Sequence, residues 1–165
     1  MPAVPHIVTR GEQPYMAIRA RVTMAELGGL GGRFGEVFAW LAARGLAPAG
    51  APFFRYNIID MTRELEIDVG VPVAAAVDGD GGQVIPGVLP AGRYAELAHV
   101  GPPGALVEAT EALLDWAAGE GLSWDMSPGE AGERWGSRVE IYLTDPSQQP
   151  DMTKWETQLA FKLAD

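Results

Sequence analysis

A carboxylate and a phenol share one face of a predicted strand near the end of the chain. Glu140 stands between Val139 and Ile141, and Tyr142 follows two residues later. The period of two along a strand places Glu140 and Tyr142 on the same side. An unpaired carboxylate is costly to bury. Glu140 is therefore either a solvated surface residue or an anion in a groove that awaits a cation or a hydrogen-bond donor. An aromatic ring beside an anion suits a delocalised organic cation.

Five further aromatic residues are candidates for the walls of such a groove. Trp40 and Trp116 lie near the ends of two predicted helices, where they either belong to the core or line the ends of the groove. Tyr15 and Tyr94 begin two alternating strands, and core and groove are both open for them. Trp155 begins the last predicted strand, where packing at an edge is the plain interpretation.

Hydrophobic periodicity predicts the elements that position these residues. Strands are predicted at 7–10, 15–22, 53–59, 65–73, 83–88, 93–100, 139–144 and 155–163. Apolar residues recur at i, i+3, i+4 and i+7 from Phe34, which predicts a helix to about residue 44 with Gly45 as its stop. A second helix is predicted at about 105–118, ending at Gly119 or Gly121. The following stretch, rich in Gly, Pro and Ser to about residue 137, is predicted as a loop, and so is the glycine cluster at 28–32, or else as a frayed helix start.

The second half of the chain repeats the element order of the first. A shift of 76 residues, varied slightly in loops, aligns Trp40 with Trp116, Gly45 with Gly121, Tyr15 with Tyr94, and 65–67 with 139–141. We therefore predict a single α+β domain over 1–165, made of a duplicated βαββ unit with halves at about 1–88 and 89–165. Antiparallel strands, two long helices and pseudo-twofold symmetry follow from this interpretation.

The duplication predicts where a ligand would lie. Each helix is expected to cover the alternating apolar face of its half, formed by residues 65, 67 and 69 in one and 139, 141 and 143 in the other. The opposite faces then carry Glu66 and Asp68 in one half and Glu140 and Tyr142 in the other. If the halves pair about a twofold axis, these faces meet or flank a cleft between them, which is a typical ligand site.

Composition excludes several classes of function. The net charge is −10 with only 12 Lys and Arg, whereas direct nucleic-acid binding needs a basic surface. There are no cysteines, so disulfides and thiolate metal sites are excluded. No P-loop or metal-ligand cluster is visible, and we expect neither metal nor cofactor. No signal peptide is recognised at residues 1–6 and no apolar stretch is long enough to cross a bilayer, so we expect a cytoplasmic protein without membrane contact.

Several short motifs, in this order and spacing, resemble one family. They are Tyr-x-Ala-Ile-Arg at 15–19, Phe-Ala-Trp-Leu-Ala-Ala-Arg-Gly-Leu at 38–46, Glu-Ile-Asp-Val-Gly-Val-Pro-Val at 66–73, Leu-Pro-Ala-Gly-Arg-Tyr-Ala at 89–95, His-Val-Gly-Pro at 99–102, Leu-Leu-Asp-Trp at 113–116 and Val-Glu-Ile-Tyr-Leu-Thr-Asp-Pro at 139–146. The chain thus resembles, over nearly its whole length, the GyrI-like domain, the effector-binding domain of bacterial multidrug-responsive transcription activators.

The resemblance implies that the cleft binds an amphipathic, often cationic aromatic compound and that Glu140 is its central carboxylate. Two positions depart from the family pattern. Pro103 stands where an aromatic residue often follows the Gly-Pro turn, and the last strand carries Thr157-Gln158 in place of Thr-Glu. Without this aromatic and this second carboxylate, a neutral or monocationic ligand is expected rather than a dication. The chain begins almost at its first strand, so we expect a stand-alone form without a DNA-binding region.

The resemblance leaves three functions open. The first is a receptor or sink for a small molecule. The second is a hydrolase of reactive compounds such as cyclopropane-bearing alkylating natural products, with Glu140 as base and Tyr15, Tyr94, Tyr142 or His99 as acid. The third is inhibition of gyrase by protein contact, which the acidic balance would permit. We expect the ligand contacts among Glu140, Tyr142, Tyr15, Trp40, Tyr94, Trp116, Trp155, Glu66 and His99.

Overall fold

The computed structural model describes residues 4–60 and 62–164. Residues 1–3, part of the stretch in which no signal peptide is recognised, lie outside the described residues. The strands are β1 (His6–Arg10), β2 (Gln13–Val22), β3 (Phe53–Ile59), β4 (Leu65–Pro72), β5 (Val84–Leu89), β6 (Gly92–Val100), β7 (Met126–Gly129), β8 (Gly132–Trp135), β9 (Arg138–Tyr142) and β10 (Glu156–Lys162), and the helices are α1 (Phe34–Ala43) and α2 (Leu106–Gly119). Every predicted strand and helix is present, with bounds that differ by two residues at most.

Regular structure is present in the stretch after α2, which was predicted as a loop, and in the glycine cluster, which was predicted as a loop or a frayed helix start. The Gly-, Pro- and Ser-rich stretch after α2 forms the hairpin β7–β8, whose last residue, Trp135, is buried in the main core. These two strands are short and mostly exposed, so their sequences lack the alternation of apolar and polar residues that predicts a strand. The glycine cluster lies in a 3-10 helix, Leu27–Arg33, which buries Leu30 and leads directly into α1.

The strands form one antiparallel sheet in the order β1-β6-β10-β9-β3-β4-β2-β5, with β7 and β8 attached beside β3. Links of two residues join β1 to β2 and β5 to β6, although each link connects strands near opposite edges. Six strand spacings in a flat sheet would measure about 29 Å. Two linking residues span about 11 Å at most. The sheet must therefore curl strongly, so that its two edges approach each other.

The curled sheet has a front face, which the helices cover, and a back face, which closes on itself. The main core lies on the front and includes Leu65, Ile67, Val69 and Leu159. A second front cluster packs α1 through Val37 and Leu41. The back face buries its own cluster, which contains Tyr15, Phe53, Tyr94, Val139 and Ala160. Both faces of the central strands are consequently buried.

The predicted assignment of side chains to the two faces is correct for β4, whose Leu65, Ile67 and Val69 lie on the helix-covered face, but it is wrong for β9. Val69 lies opposite Phe54, and Phe54 lies opposite Glu140. Directly opposed residues in a sheet point to the same side. Glu140 and Tyr142 therefore share the front face with the apolar side chains of β4, whereas Glu66 and Asp68 point to the back. Periodicity divides one strand into two faces, but only the register between strands relates those faces to each other.

The strand order is symmetric about the β3–β9 pair, so β2–α1–β3–β4 matches β6–α2–β9–β10. The cross-strand sets Ile18–Val69–Phe54 and Leu97–Leu159–Glu140 occupy matching positions. The counterpart of Glu140 is thus Phe54, and the predicted alignment of 65–67 with 139–141 is wrong, because β9 corresponds to β3. The helix alignment is confirmed: Gly45 and Gly121 both follow their helices at φ +69° and +71°.

Candidate functional site

A cavity of about 1120 Å³ lies between the front face of the sheet and the two helices. Its lining is largely apolar and comes from both halves of the chain. The principal lining residues are Leu27, Phe34 and Phe38 before and within α1, Leu106, Val107 and Leu114 in α2, Phe54, Tyr56, Arg138, Glu140, Tyr142 and Thr157 on the sheet, and Leu143 and Trp155 beside it. A cavity of this size can enclose a drug-sized organic molecule.

Glu140 stands on the floor of this cavity, in the middle of β9. Tyr56 and Tyr142 both donate hydrogen bonds to its Oε1 atom, at 2.8 and 2.7 Å. Tyr142 lies two residues along the same strand, and Tyr56 comes from the neighbouring strand β3. Among the described residues, Glu140 has no ion-pair partner, and its Oε2 atom accepts no hydrogen bond. One carboxylate oxygen is thus held by the protein and the other is available to a ligand.

Burial keeps both phenols protonated. Desolvation raises the pKa of Tyr56 well above 10, and the nearby charge of Glu140 raises it further. The pKa of Tyr142 is raised for the same reasons. A phenol in this state is a hydrogen-bond donor at any physiological pH. The two tyrosines therefore orient the carboxylate rather than compete with it for a proton.

An aromatic cluster forms one wall of the cavity. The rings of Phe34 and Phe54 stack with centroids 5.2 Å apart and planes at 16°. The ring of Tyr142 meets both edge-on, at 6.0 Å from Phe34 and 5.3 Å from Phe54. These offset and edge-on arrangements are the favourable ones for aromatic pairs. The cluster places flat apolar surface beside the carboxylate, which is the combination that an aromatic cation requires.

Arg138 also lines the cavity, two residues before Glu140 on the same strand. Its guanidinium lies 4.6 Å from the ring centroid of Trp135 and 4.5 Å from that of Phe161. Desolvation lowers the pKa of Arg138, while the proximity of Tyr56 and the charges of Glu140 and Glu133 act in the opposite direction. Arg138 was not predicted as a site residue, although the period of two along the strand places it on the same face as Glu140.

Three of the predicted contact residues, Glu140, Tyr142 and Trp155, are brought together at the cavity. Trp155 is fixed there by its indole N–H, which donates to the carbonyl oxygen of Gln149 at 2.7 Å. Tyr56, Phe34 and Phe54 were missed. Tyr56 and Phe54 could not be assigned because their approach to Glu140 depends on the register of β3 against β9.

Three other predicted residues point to the back face, away from the cavity. Tyr15 is buried there and donates to Asp68 at 2.6 Å. Tyr94 donates to the carbonyl oxygen of Pro90 at 2.7 Å. Glu66 pairs with Arg21 at 3.3 Å. The face assignment that placed these residues in the cleft is corrected by the register.

The last three predicted residues lie on the helix side but outside the cavity lining. Trp40 stacks under Arg44, whose guanidinium lies 3.7 Å from the ring centroid, and its N–H donates to Asp80 at 3.2 Å. Trp116 packs against the main core. His99, on β6, has a ring nitrogen 3.4 Å from the carbonyl oxygen of Pro102.

The described residues contain no group of three or more His, Asp or Glu side chains placed to hold a metal ion. No helix within residues 4–60 and 62–164 is long and apolar enough to cross a membrane.

The curled sheet and its helix-covered cavity define the class of the protein, an α+β domain with an internal cavity between sheet and helices. The model of the GyrI-like small molecule binding domain matches residues 3–163, and the chain belongs to this family. Comparison with curated proteins found no match.

Solved structures of similar fold include the C-terminal domain of EcmrR, at a TM-score of 0.76 and 18% identity over 100% of this chain and 99% of that domain. The chain spans 59% of the EcmrR chain in its complex with DNA. SAV2435 bound to tetraphenylphosphonium matches at a TM-score of 0.65 and 10% identity, over 98% of this chain and 94% of that one. A hydrolase from Listeria innocua matches at 0.60 and 13%, over 97% and 91%. At these identities the likeness concerns the fold alone.

Proposed function

We propose that the protein binds an amphipathic aromatic compound with a cationic group, and so acts as a receptor or sink for it. The observation that carries the proposal is Glu140, an anion on the floor of a large apolar cavity with one oxygen held by two phenols and the other free. A bound cation would supply the partner that the described residues do not.

The rest of the cavity suits the apolar body of such a ligand. Burying apolar surface contributes about 25 cal/mol per Å². The wall formed by Phe34, Phe54 and Tyr142 offers ring faces and edges to an aromatic guest. The binding of tetraphenylphosphonium, a lipophilic aromatic cation, by SAV2435 supports the proposal, since the two proteins share a fold.

Binding is tested with tetraphenylphosphonium and with neutral triphenylphosphine oxide, followed by tryptophan fluorescence and calorimetry. Trp155 lines the cavity and should report occupancy. We expect saturable binding with a preference for the cation. Glu140→Gln should weaken the cation about tenfold or more and leave the neutral compound unchanged, because charge-assisted contacts are the stronger ones.

The matched control is Glu108→Gln, an exposed glutamate of α2 that does not line the cavity. It should leave both affinities unchanged. If neither compound binds saturably, or if Glu140→Gln leaves cation affinity unaltered, the proposal is wrong.

A second candidate function is hydrolysis of a reactive small molecule, with the free Oε2 atom of Glu140 as the general base for a water. The chain shares its fold with a hydrolase from Listeria innocua, which is consistent with this candidate. The two functions differ in their products. A binder returns the compound intact, whereas an enzyme yields a hydrated product in the mass spectrum. Glu140→Gln would then abolish turnover while binding persists.

A further inference from the structure

Arg138 places a positive charge in a cavity proposed to receive a cation. Among the described residues that line the cavity, it is the one basic side chain, whereas the acidic lining residues are Glu111, Glu133, Glu140, Asp145 and Glu156. A guanidinium close to the proposed cation subsite repels a cationic ligand. A cavity selected for simple lipophilic cations would be better without it.

The guanidinium has unused hydrogen-bonding capacity. It carries five N–H donors in a planar fork. Arg138 makes no hydrogen bond or ion pair with any residue that the structure describes. None of the nitrogens of its guanidinium is completely buried. They therefore remain accessible to a ligand where the side chain lines the cavity.

Aromatic rings hold the guanidinium in place. The ring centroids of Trp135 and Phe161 lie 4.6 and 4.5 Å from its central carbon. Both rings are buried in the main core. Packing of this kind contacts the face of the guanidinium, whereas the N–H donors lie around its edge. The arrangement therefore orients a fork of donors without occupying it, which matches the geometry of carboxylate recognition.

The spacing between the two charges is set by the strand. Arg138 and Glu140 point to the same face of β9, and two residues along a strand span about 7 Å. Their side chains do not pair with each other. The cavity floor thus presents an anion and a cation side by side, each with free hydrogen-bonding positions.

We propose that the ligand carries an acceptor group, best a carboxylate, that binds Arg138, in addition to the aromatic body and the cationic group that lies at Glu140. The preferred ligand is then a zwitterionic amphipath rather than a simple lipophilic cation. This inference rests on the proposed function and specifies the ligand class for the same cavity.

The test compares rhodamine 110, a zwitterion with a free carboxylate, with rhodamine 123, its cationic methyl ester, by fluorescence polarisation. The two dyes share one aromatic body and differ only in the acceptor group. We expect rhodamine 110 to bind about tenfold more tightly, since a hydrogen bond between charged groups contributes more than a neutral one. Arg138→Gln should remove this preference and tighten binding of rhodamine 123, whereas Arg138→Lys should keep part of it.

Arg93→Gln is the matched control, because Arg93 is an exposed residue of β6 outside the cavity lining. It should not alter either affinity. Arg138 could instead serve only to pack Trp135 and Phe161; in that case its replacement lowers stability but leaves the ratio of the two affinities unchanged. That result, or equal affinities in the unaltered protein, overturns this inference and leaves the proposed function intact. If neither rhodamine dye nor tetraphenylphosphonium binds, the proposed function itself is overturned.

Discussion

Two phenols donate hydrogen bonds to the same carboxylate oxygen of Glu140, Oε1. This leaves the other oxygen, Oε2, as the one that can contact a ligand. Tyr56 and Tyr142 occupy positions related by the internal symmetry, and the residue that corresponds to Glu140 itself is Phe54. The duplication therefore supplies matching donors from both halves, while a single acid breaks the symmetry. At the centre of the site a carboxylate, Glu140, therefore lies opposite an aromatic ring, Phe54, on the neighbouring strand.

Replacement of Tyr15 tests whether the back face of the sheet contributes to stability but not to ligand binding. Its hydroxyl donates to Asp68 and accepts from Arg55 at 2.9 Å, and Asp68 is only 1% exposed. Tyr15→Phe should lower the free energy of unfolding by about 1–3 kcal/mol, because it removes one donor from a buried carboxylate. Asp68 keeps Arg19 at 2.8 Å, which limits the loss. Urea unfolding measures the change.

Affinity for tetraphenylphosphonium should be unchanged in Tyr15→Phe, since Tyr15 lies behind the sheet. If Tyr15→Phe folds but binds tetraphenylphosphonium more weakly, then Tyr15 contributes to the binding site and its assignment to the back face alone is contradicted. Tyr142→Phe is the comparison, because it alters the orientation of Glu140 directly.

At the scale of the elements, glycines in the sheet make room for the back-face rings. A Cβ atom added at Gly70 in β4 would lie 2.7 Å from the ring of Phe53 and 3.3 Å from that of Tyr15. Gly70→Ala should therefore cost about 1–3 kcal/mol of stability through overpacking. Thermal or urea unfolding reports it.

The control is the same substitution where space is free. Gly35 in α1 has no atom within 4 Å of an added Cβ. Gly35→Ala should stabilise the protein by about 0.5–1 kcal/mol, because alanine favours the helix. Equal effects of the two substitutions would contradict the tight packing at Gly70.

Strands and helices could be predicted from the sequence because each depends on a local period. The helix from Phe34 to Ala43 and the strand from Phe53 to Ile59 follow directly from their apolar spacing. The register between neighbouring strands could not be predicted, because it is set by contacts between segments that are distant in the sequence. This is why Glu140 and Tyr142 were found together on β9, while Tyr56 was missed and Tyr15, Tyr94 and Glu66 were placed in the cleft.

At the scale of the whole molecule, every tyrosine is shielded. Burial raises the pKa of Tyr15, Tyr56, Tyr94 and Tyr142, and these are the four tyrosines of the chain. Above about pH 10 the unfolded chain releases phenolic protons that the folded protein retains. Because the unfolded state then binds fewer protons, stability is complete below that pH and falls as the pH rises.

We therefore expect tyrosinate absorbance to stay low above about pH 10 and then to rise together with loss of the native circular dichroism spectrum. Free tyrosine in the same buffers is the reference. Ionisation of two or more tyrosines near pH 10 in the folded protein would contradict the burial described for them.

The strand β1 has a consequence for the order in which the molecule is assembled. Among the described strands β1 is made before the others, yet its partner is β6, and the contact of Arg10 with Glu96 joins residues 86 positions apart. Such distant pairings form late because their loops must close first. During synthesis β1 stays without its partner until β6 has been made, so the curled sheet cannot close before that point.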